Sequence, residues 1–182
     1  MTDLLTAIDV ATTEMTNQIA ATDQSKLGEA TPCSEWDVKA LVEHAKGTCD
    51  FFTGAVGGTP AEGDVWEGDA AANFSKSGTA ALTAMRDRGL EGTVDLGGNE
   101  MPATMAAGIL AMDVYVHAWD LATAAGNDIS LDDDVCATLL EVTSPAIDGF
   151  RPNGFGPAVE VADQVPASAR LLAFSGRAVR QP

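Results

Sequence analysis

The residues best suited to chemistry in this sequence are its histidines, of which there are only 2, His44 and His117. Asp113 lies four residues before His117, so on a helix both side chains project from one face about one turn apart. His44 falls three residues after Leu41, off the charged side of its own amphipathic stretch. An unpaired buried carboxylate is costly, whereas two imidazoles and a carboxylate can share a divalent cation. One interpretation of the spacing is therefore a metal site at His44, Asp113 and His117.

Simpler interpretations of these residues are open on spacing alone. A single histidine on an apolar face is usually a hydrogen-bonded core residue, and Asp113 with His117 could form a plain i,i+4 ion pair. Cys33 lies just before a predicted helix start, where a thiol can become reactive, but we favour a small buried apolar role for it. Asp120 could orient His117 by accepting from its imidazole, but we expect it to face solvent.

The composition excludes several classes of protein. Apolar residues make up 46% and charged residues 20% of the 182 residues, which indicates a folded globular protein. There are 27 Asp and Glu against 10 Lys and Arg, a formal charge of −17, so we expect neither nucleic acid nor an anionic membrane surface as a partner. No dinucleotide-binding, phosphate-loop, GxSxG or HExxH pattern is present.

The same sequence suggests where the protein works. No stretch reaches the ~20 apolar residues that a membrane span requires, and the first residues lack the basic and apolar regions of an export signal. The 3 cysteines show no CxxC spacing, which argues against a disulfide framework or a zinc knot. We therefore expect a reduced, cytoplasmic protein, and a homodimer is compatible with the sequence.

Hydrophobic periodicity predicts a helical fold around these residues. The predicted helices span 2–22, 34–56, 70–88, 103–125, 131–147 and 166–176. A Gly-Gly turn predicts a small hairpin over 93–98, and loops are predicted at 61–69 and 149–157. Together these elements predict one all-α domain over 1–182, a four-helix bundle with short extra helices and a small β-hairpin.

The second helix carries His44, so its start and its exposed side matter. Ser34 follows the breaker Pro32 and is the candidate N-cap, with Asp37 three residues later to complement the positive helix end. The charged residues of this stretch are expected to face solvent. They are Lys39, Glu43, Lys46 and Asp50.

Four blocks of the chain resemble the signature blocks of a known family. They are TPCSEWDV at 31–38, LVEH at 41–44, DVYVHAWDLA at 113–122 and RLLAFSGR at 170–177. They are similar to those of the mycothiol-dependent maleylpyruvate isomerase N-terminal group, a branch of the DinB-like superfamily. The resemblance implies a DinB/YfiT-like four-helix bundle that holds a divalent metal ion, often zinc. By position, His44 corresponds to the first ligand, Asp113 to the second and His117 to the third.

The resemblance also implies a chemistry. Several members are thought to use the metal to activate a low-molecular-weight thiol such as mycothiol, whose thiolate attacks a small electrophile. We therefore expect a thiol-dependent transferase or isomerase, with zinc as the first candidate metal and nickel, iron or manganese as alternatives. The other hypothesis is a non-catalytic module that binds a metal or a small ligand.

Two departures from the isomerase that names the group limit the expected activity. That isomerase carries a further C-terminal domain that contributes to its active site, whereas this sequence stops soon after Arg177. It also has Glu where this chain has the shorter Asp113, which can change the metal or its geometry. We therefore expect a closer likeness to single-domain members than to the isomerase itself.

Overall fold

A computed structural model describes residues 2–34, 36–151, 155–162 and 164–178. The described residues form six α-helices, one 3-10 helix and one pair of short strands. In chain order these are α1 (Leu4–Ala21), the 3-10 helix (Gln24–Lys26), α2 (Val38–Ala55), α3 (Ala70–Arg88), β1 (Thr93–Asp95), β2 (Glu100–Pro102), α4 (Ala103–Ala125), α5 (Asp133–Phe150) and α6 (Ala167–Phe174). No helix among the described residues is long and apolar enough to cross a bilayer.

α4 is the central helix of the bundle. It packs against α1, α2 and α5, and 16 of its 23 residues are buried. Small residues such as Ala106, Ala107 and Gly108 line it and let the neighbouring helices approach closely. α1 and α2 also pack against α3, which completes four helices around one core, and α6 covers α5. The predicted all-α bundle is confirmed.

The predicted hairpin is also present and determines where α4 begins. β1 and β2 pair antiparallel with Val94 opposite Met101. The turn passes through Gly97 and Gly98, whose φ angles of 69° and 96° lie in the left-handed region that glycine tolerates. The second strand lies just after the predicted range 93–98, and α4 follows it directly. The helices predicted at 70–88 and 103–125 have the predicted bounds.

The predicted start of α2 is wrong. The helix begins at Val38 rather than at Ser34, because Asp37 is the N-cap and its carboxylate accepts the N–H of Ala40 at 2.8 Å. The residues before it form a turn that we call the Thr31 turn, made by residues 31–34 and 36. This turn, rather than a first helical turn, therefore borders the site.

The predicted exposed side of α2 is only partly correct. Lys39 and Glu43 are exposed, but the side chains of Lys46 and Asp50 retain only 11% and 23% of their accessible surface. The Lys46 ammonium donates to Asp50 at 2.5 Å and to the carbonyl of Ala61 at 3.2 Å. The loop that follows α2 therefore folds back over this side of the helix. Of the predicted loop at 149–157, residues 149–150 belong to the last turn of α5, residues 152–154 lie outside the described residues, and residues 155–157 form a loop as predicted.

The close packing of α3 on α1 depends on Gly78. A Cβ at this position would lie 2.8 Å from the Cβ of Thr12, which is close to the backbone of α1 and cannot swing away. We expect Gly78→Ala to lower the free energy of unfolding by about 1–3 kcal/mol, as overpacking does. Urea denaturation measures the change.

Gly47→Ala is the matched control, because Gly47 lies on the exposed side of α2 and a Cβ added there would meet nothing within 4 Å. It is expected to raise the free energy of unfolding by up to about 1 kcal/mol through helix propensity. A Gly78→Ala protein as stable as Gly47→Ala would contradict the close approach of the two helices.

Candidate metal centre

His44, Asp113 and His117 converge between α2 and α4, and we call them the His–Asp–His triad. The Nε2 atom of His44 lies 3.2 Å from Oδ2 of Asp113, and the Nε2 atom of His117 lies 3.5 Å from Oδ1. One ligand atom from each residue lies within 4.8 Å of the others. The structure therefore brings together the three residues that the sequence singles out.

The two helices present the triad from opposite sides. Asp113 and His117 are one turn apart on α4, while His44 projects from α2. His117 is buried, whereas the His44 side chain keeps 34% of its surface and forms the accessible edge. Thr48, one turn after His44, donates its hydroxyl to Oδ2 of Asp113 at 2.8 Å. Sequence reasoning missed Thr48, although its i+4 position relative to His44 could have indicated it.

Asp120 is a second buried carboxylate, and the expectation that it faces solvent is wrong. It has no accessible surface, because α4 is buried on this side as well. Its Oδ2 atom lies 2.9 Å from Nδ1 of His117, and since a carboxylate only accepts, Nδ1 carries the hydrogen. Arg177 donates to both oxygens of Asp120, from Nε at 3.1 Å and from Nη2 at 2.6 Å. Sequence reasoning gave Arg177 no role in the site.

Cys33 is not the buried apolar residue that the sequence favours. It is half-buried, and its Sγ atom lies 3.0 Å from Nη2 of Arg177 and 3.3 Å from Oδ2 of Asp120. Cys33, His117 and Asp120 also offer three ligand atoms within 4.8 Å of one another. The Arg177 guanidinium contacts Cys33 and Asp120, so this second cluster already contains a positive charge that a metal ion would have to compete with. Of the two clusters, the His–Asp–His triad is the better place for a metal ion.

The Thr31 turn explains how Cys33 and Trp36 reach the site. The Thr31 hydroxyl donates to the Trp36 carbonyl at 2.8 Å and accepts the N–H of Cys33 at 3.1 Å. The N–H of Trp36 donates to the Cys33 carbonyl at 2.8 Å, which closes the turn. The Trp36 ring then packs against His44 with ring centroids 4.3 Å apart. One threonine side chain thus holds a thiol and an indole beside the triad.

The triad opens into a cleft of about 770 Å³. One wall comes from the Thr31 turn, and the other from Arg151, Phe155 and the C-terminal segment 175–177. Gly176 has a φ angle of 91°, and a Cβ on it would lie 2.9 Å from the Cα of Gly156. Two stretches of backbone therefore touch at this wall, and only glycine fits between them.

Burial and opposite charges compete in setting the pKa values of the site. Burial alone would raise the pKa of Asp113, but the imidazoles of His117 and His44 outweigh it and hold the pKa well below the usual 3.8. Burial would lower the pKa of His117, but Asp113 and Asp120 raise it well above 6.5. Burial likewise opposes ionisation of Asp120, yet His117 and Arg177 lower its pKa. These shifts favour the charged forms of both Asp113 and His117 when no metal is bound.

The donor set fits a divalent metal ion. Two imidazole nitrogens and one carboxylate oxygen are ligands that zinc binds, and three protein ligands leave a position for water or substrate. The Nδ1 hydrogen of His117 is committed to Asp120, so its Nε2 atom faces Asp113 and is the atom available to a metal. Among the described residues, no Lys or Arg forms an ion pair with Asp113 that would compete with a cation.

A family model and two kinds of relative match this chain. Residues 8–122 match the family model described as the mycothiol maleylpyruvate isomerase N-terminal domain. Two uncharacterised proteins, from two strains of Mycobacterium tuberculosis, are each 32% identical over 162 residues, which cover 85% of this chain and 87% of the relative. A crystal structure of a mutant of the mycothiol-dependent maleylpyruvate isomerase aligns with a TM-score of 0.51 and 19% identity, covering 78% of this chain and 70% of that chain. At that identity the likeness supports the fold alone.

The burial of Asp120 generates a stability prediction. Asp120→Ala removes the carboxylate that pairs with the buried guanidinium of Arg177 and leaves the Nδ1 hydrogen of His117 without its carboxylate acceptor. We expect the free energy of unfolding to fall by about 3–5 kcal/mol, as when one partner of a buried ion pair is removed. The exposed Asp128, just after α4, provides the control, since Asp128→Ala should change stability by less than about 0.5 kcal/mol. Equal urea midpoints for the two variants would contradict the buried ion pair.

Proposed function

The chain belongs to the mycothiol maleylpyruvate isomerase N-terminal domain family, and from this we propose that it binds a divalent metal ion through His44, Asp113 and His117 and uses it to activate a low-molecular-weight thiol. Membership of this family indicates chemistry that involves a small-molecule thiol. The observation that supports the proposal best is the convergence of three donor atoms in an accessible cleft. The thiol would be mycothiol or one like it.

Zinc is the metal that the triad favours. A site with two histidines, one carboxylate and an open position is typical of catalytic zinc. Nickel, iron and manganese are alternatives, because imidazole and carboxylate ligands also suit those ions. Asp113 is shorter than a glutamate and is held by the Thr48 hydroxyl at Oδ2, which leaves Oδ1 towards His117 as the better oxygen for a metal.

The proposed reaction is transfer of the thiol to a small electrophile, or isomerisation of that electrophile through a thiol adduct. A bound metal would supply the Lewis acidity that keeps a coordinated thiol deprotonated. The residues of this chain would bind and orient the reactants. The cleft of about 770 Å³ falls within the usual size of small-molecule sites, and Trp36 and Phe155 offer apolar surface in it.

Metal content after reconstitution tests the ligand set. The protein is stripped with a chelator, incubated with zinc, dialysed and analysed for metal. We expect wild type to retain zinc, and Asp113→Ala to bind it more than about 100-fold more weakly because a direct ligand is lost. Asp87→Ala removes an exposed carboxylate on α3 and is expected to leave binding unchanged. Equal zinc in wild type and in the His44→Ala, His117→Ala double variant would contradict the proposal.

The same samples separate catalysis from plain binding. Metal-dependent consumption of mycothiol with a panel of small electrophiles, lost in the stripped protein and restored by zinc, is the result that we expect. Loss of stability on chelation without any turnover would instead favour the non-catalytic binding module.

The charged state of His117 predicts that metal binding displaces a proton. Its raised pKa favours the protonated imidazole in the metal-free protein, whereas a metal ligand must be deprotonated. Zinc binding at pH 7 should therefore release about one proton per ion, and zinc affinity should increase as the pH rises towards the pKa of His117. Calorimetric titration in buffers of different ionisation enthalpy measures the release. A binding heat independent of the buffer would show that His117 is already neutral.

A further inference from the structure

We propose that Arg177 is a positioning residue of the metal centre, supplied by the C-terminal segment to hold the ligand His117 through Asp120. The inference rests on the proposed function, because its effect is on the affinity for the metal. The family match covers residues 8–122, and Arg177 lies well beyond it. The proposal therefore extends the site to a part of the chain that the match does not cover.

The contacts of Arg177 fix the orientation of the Asp120 carboxylate. Nε and Nη2 donate to the two oxygens of Asp120 at 3.1 and 2.6 Å, the bidentate geometry that only a guanidinium offers. Nη1 donates to the carbonyl of Ser175 at 2.7 Å, which anchors the guanidinium to its own segment. Arg177 keeps 7% of its surface and Asp120 none, so little water competes for these hydrogen bonds.

Asp120 passes this constraint on to the metal ligand. Its Oδ2 atom, which accepts from Arg177, also accepts from Nδ1 of His117 at 2.9 Å. Because Nδ1 is hydrogen-bonded to Asp120, the imidazole ring of His117 cannot flip, and its Nε2 atom stays directed at Asp113. A carboxylate that orients a metal-bound histidine commonly changes metal affinity by about 10–100-fold. In this protein the carboxylate is itself oriented by Arg177.

The same guanidinium contacts the thiol at the edge of the cleft. Nη2 of Arg177 lies 3.0 Å from Sγ of Cys33, so Arg177 joins the Thr31 turn, α4 and the C-terminal segment at one point. An anchor of that kind could be purely structural. If Arg177 were only a structural anchor, its replacement would reduce stability but leave zinc affinity and the His117 hydrogen bond unchanged. If Arg177 positions His117, its replacement changes both.

Zinc affinity of an Arg177 variant is the first test. The metal-free proteins are titrated with zinc against a chelator of known affinity. We expect Arg177→Gln to raise the zinc Kd by about 10–100-fold. The matched control is Arg170→Gln, since Arg170 is exposed on α6 in the same part of the chain, and its Kd should equal that of wild type. A wild-type Kd for a folded Arg177→Gln protein would overturn the proposal.

NMR of the metal-free protein is the second test. The chain has only 2 histidines, so the imidazole signals are assigned with one His44→Gln variant. Wild type should show a slowly exchanging Nδ1 hydrogen for His117, and Arg177→Gln should lose it. If Arg177→Gln does not fold, Arg177→Lys keeps the positive charge without the bidentate contact and should show the same losses to a smaller degree. If Arg177→Lys kept both the slowly exchanging Nδ1 hydrogen of His117 and the zinc Kd of wild type, the proposal would be overturned.

The two tests separate this inference from the proposed function. If wild type binds no zinc, the proposed function fails, while the His117 hydrogen in Arg177→Gln still decides whether Arg177 positions the imidazole. If wild type binds zinc and both Arg177 variants bind it equally well, only the inference about Arg177 fails.

Discussion

The negative charge of Asp113, placed at the middle of the central helix, is the constraint on which the rest of the site depends. Removing a carboxylate from water costs several kcal/mol unless other groups compensate the charge. α2 supplies two of those groups, the imidazole of His44 and the hydroxyl of Thr48, and α4 itself supplies His117. The packing of α2 against α4 is therefore tied to this compensation as well as to apolar burial.

The charges beyond the triad also compensate one another, because negative and positive side chains alternate along a row. With His117 protonated, as its raised pKa favours, the negative Asp113 is followed by a positive His117, the negative Asp120 and the positive Arg177, each in contact with the next. In a chain with a formal charge of −17, this row is locally neutral. A divalent ion in the triad would replace one proton on His117, so the row beyond His117 could remain as it is.

Local patterns in the sequence predict most of the fold and only part of the site. The bounds of α3 and α4 follow from apolar periodicity and terminal signals, and the triad follows from the spacing of two scarce histidines. The start of α2 could not be predicted, because residues 34 and 37 are both cap-forming types and only the folded turn decides between them. Cys33 and Arg177 contact each other but are 144 positions apart in the sequence, so no local pattern predicts their contact.

The contact between Gly156 and Gly176 has a consequence for the order in which the site can be made. The ribosome delivers the chain from its N-terminus, and all three triad residues emerge before α5 and α6 exist. Arg177 comes immediately after Gly176, so its guanidinium reaches Asp120 only when residues 175–177 have docked against Gly156. The charge row is therefore completed only after α6 has been synthesised.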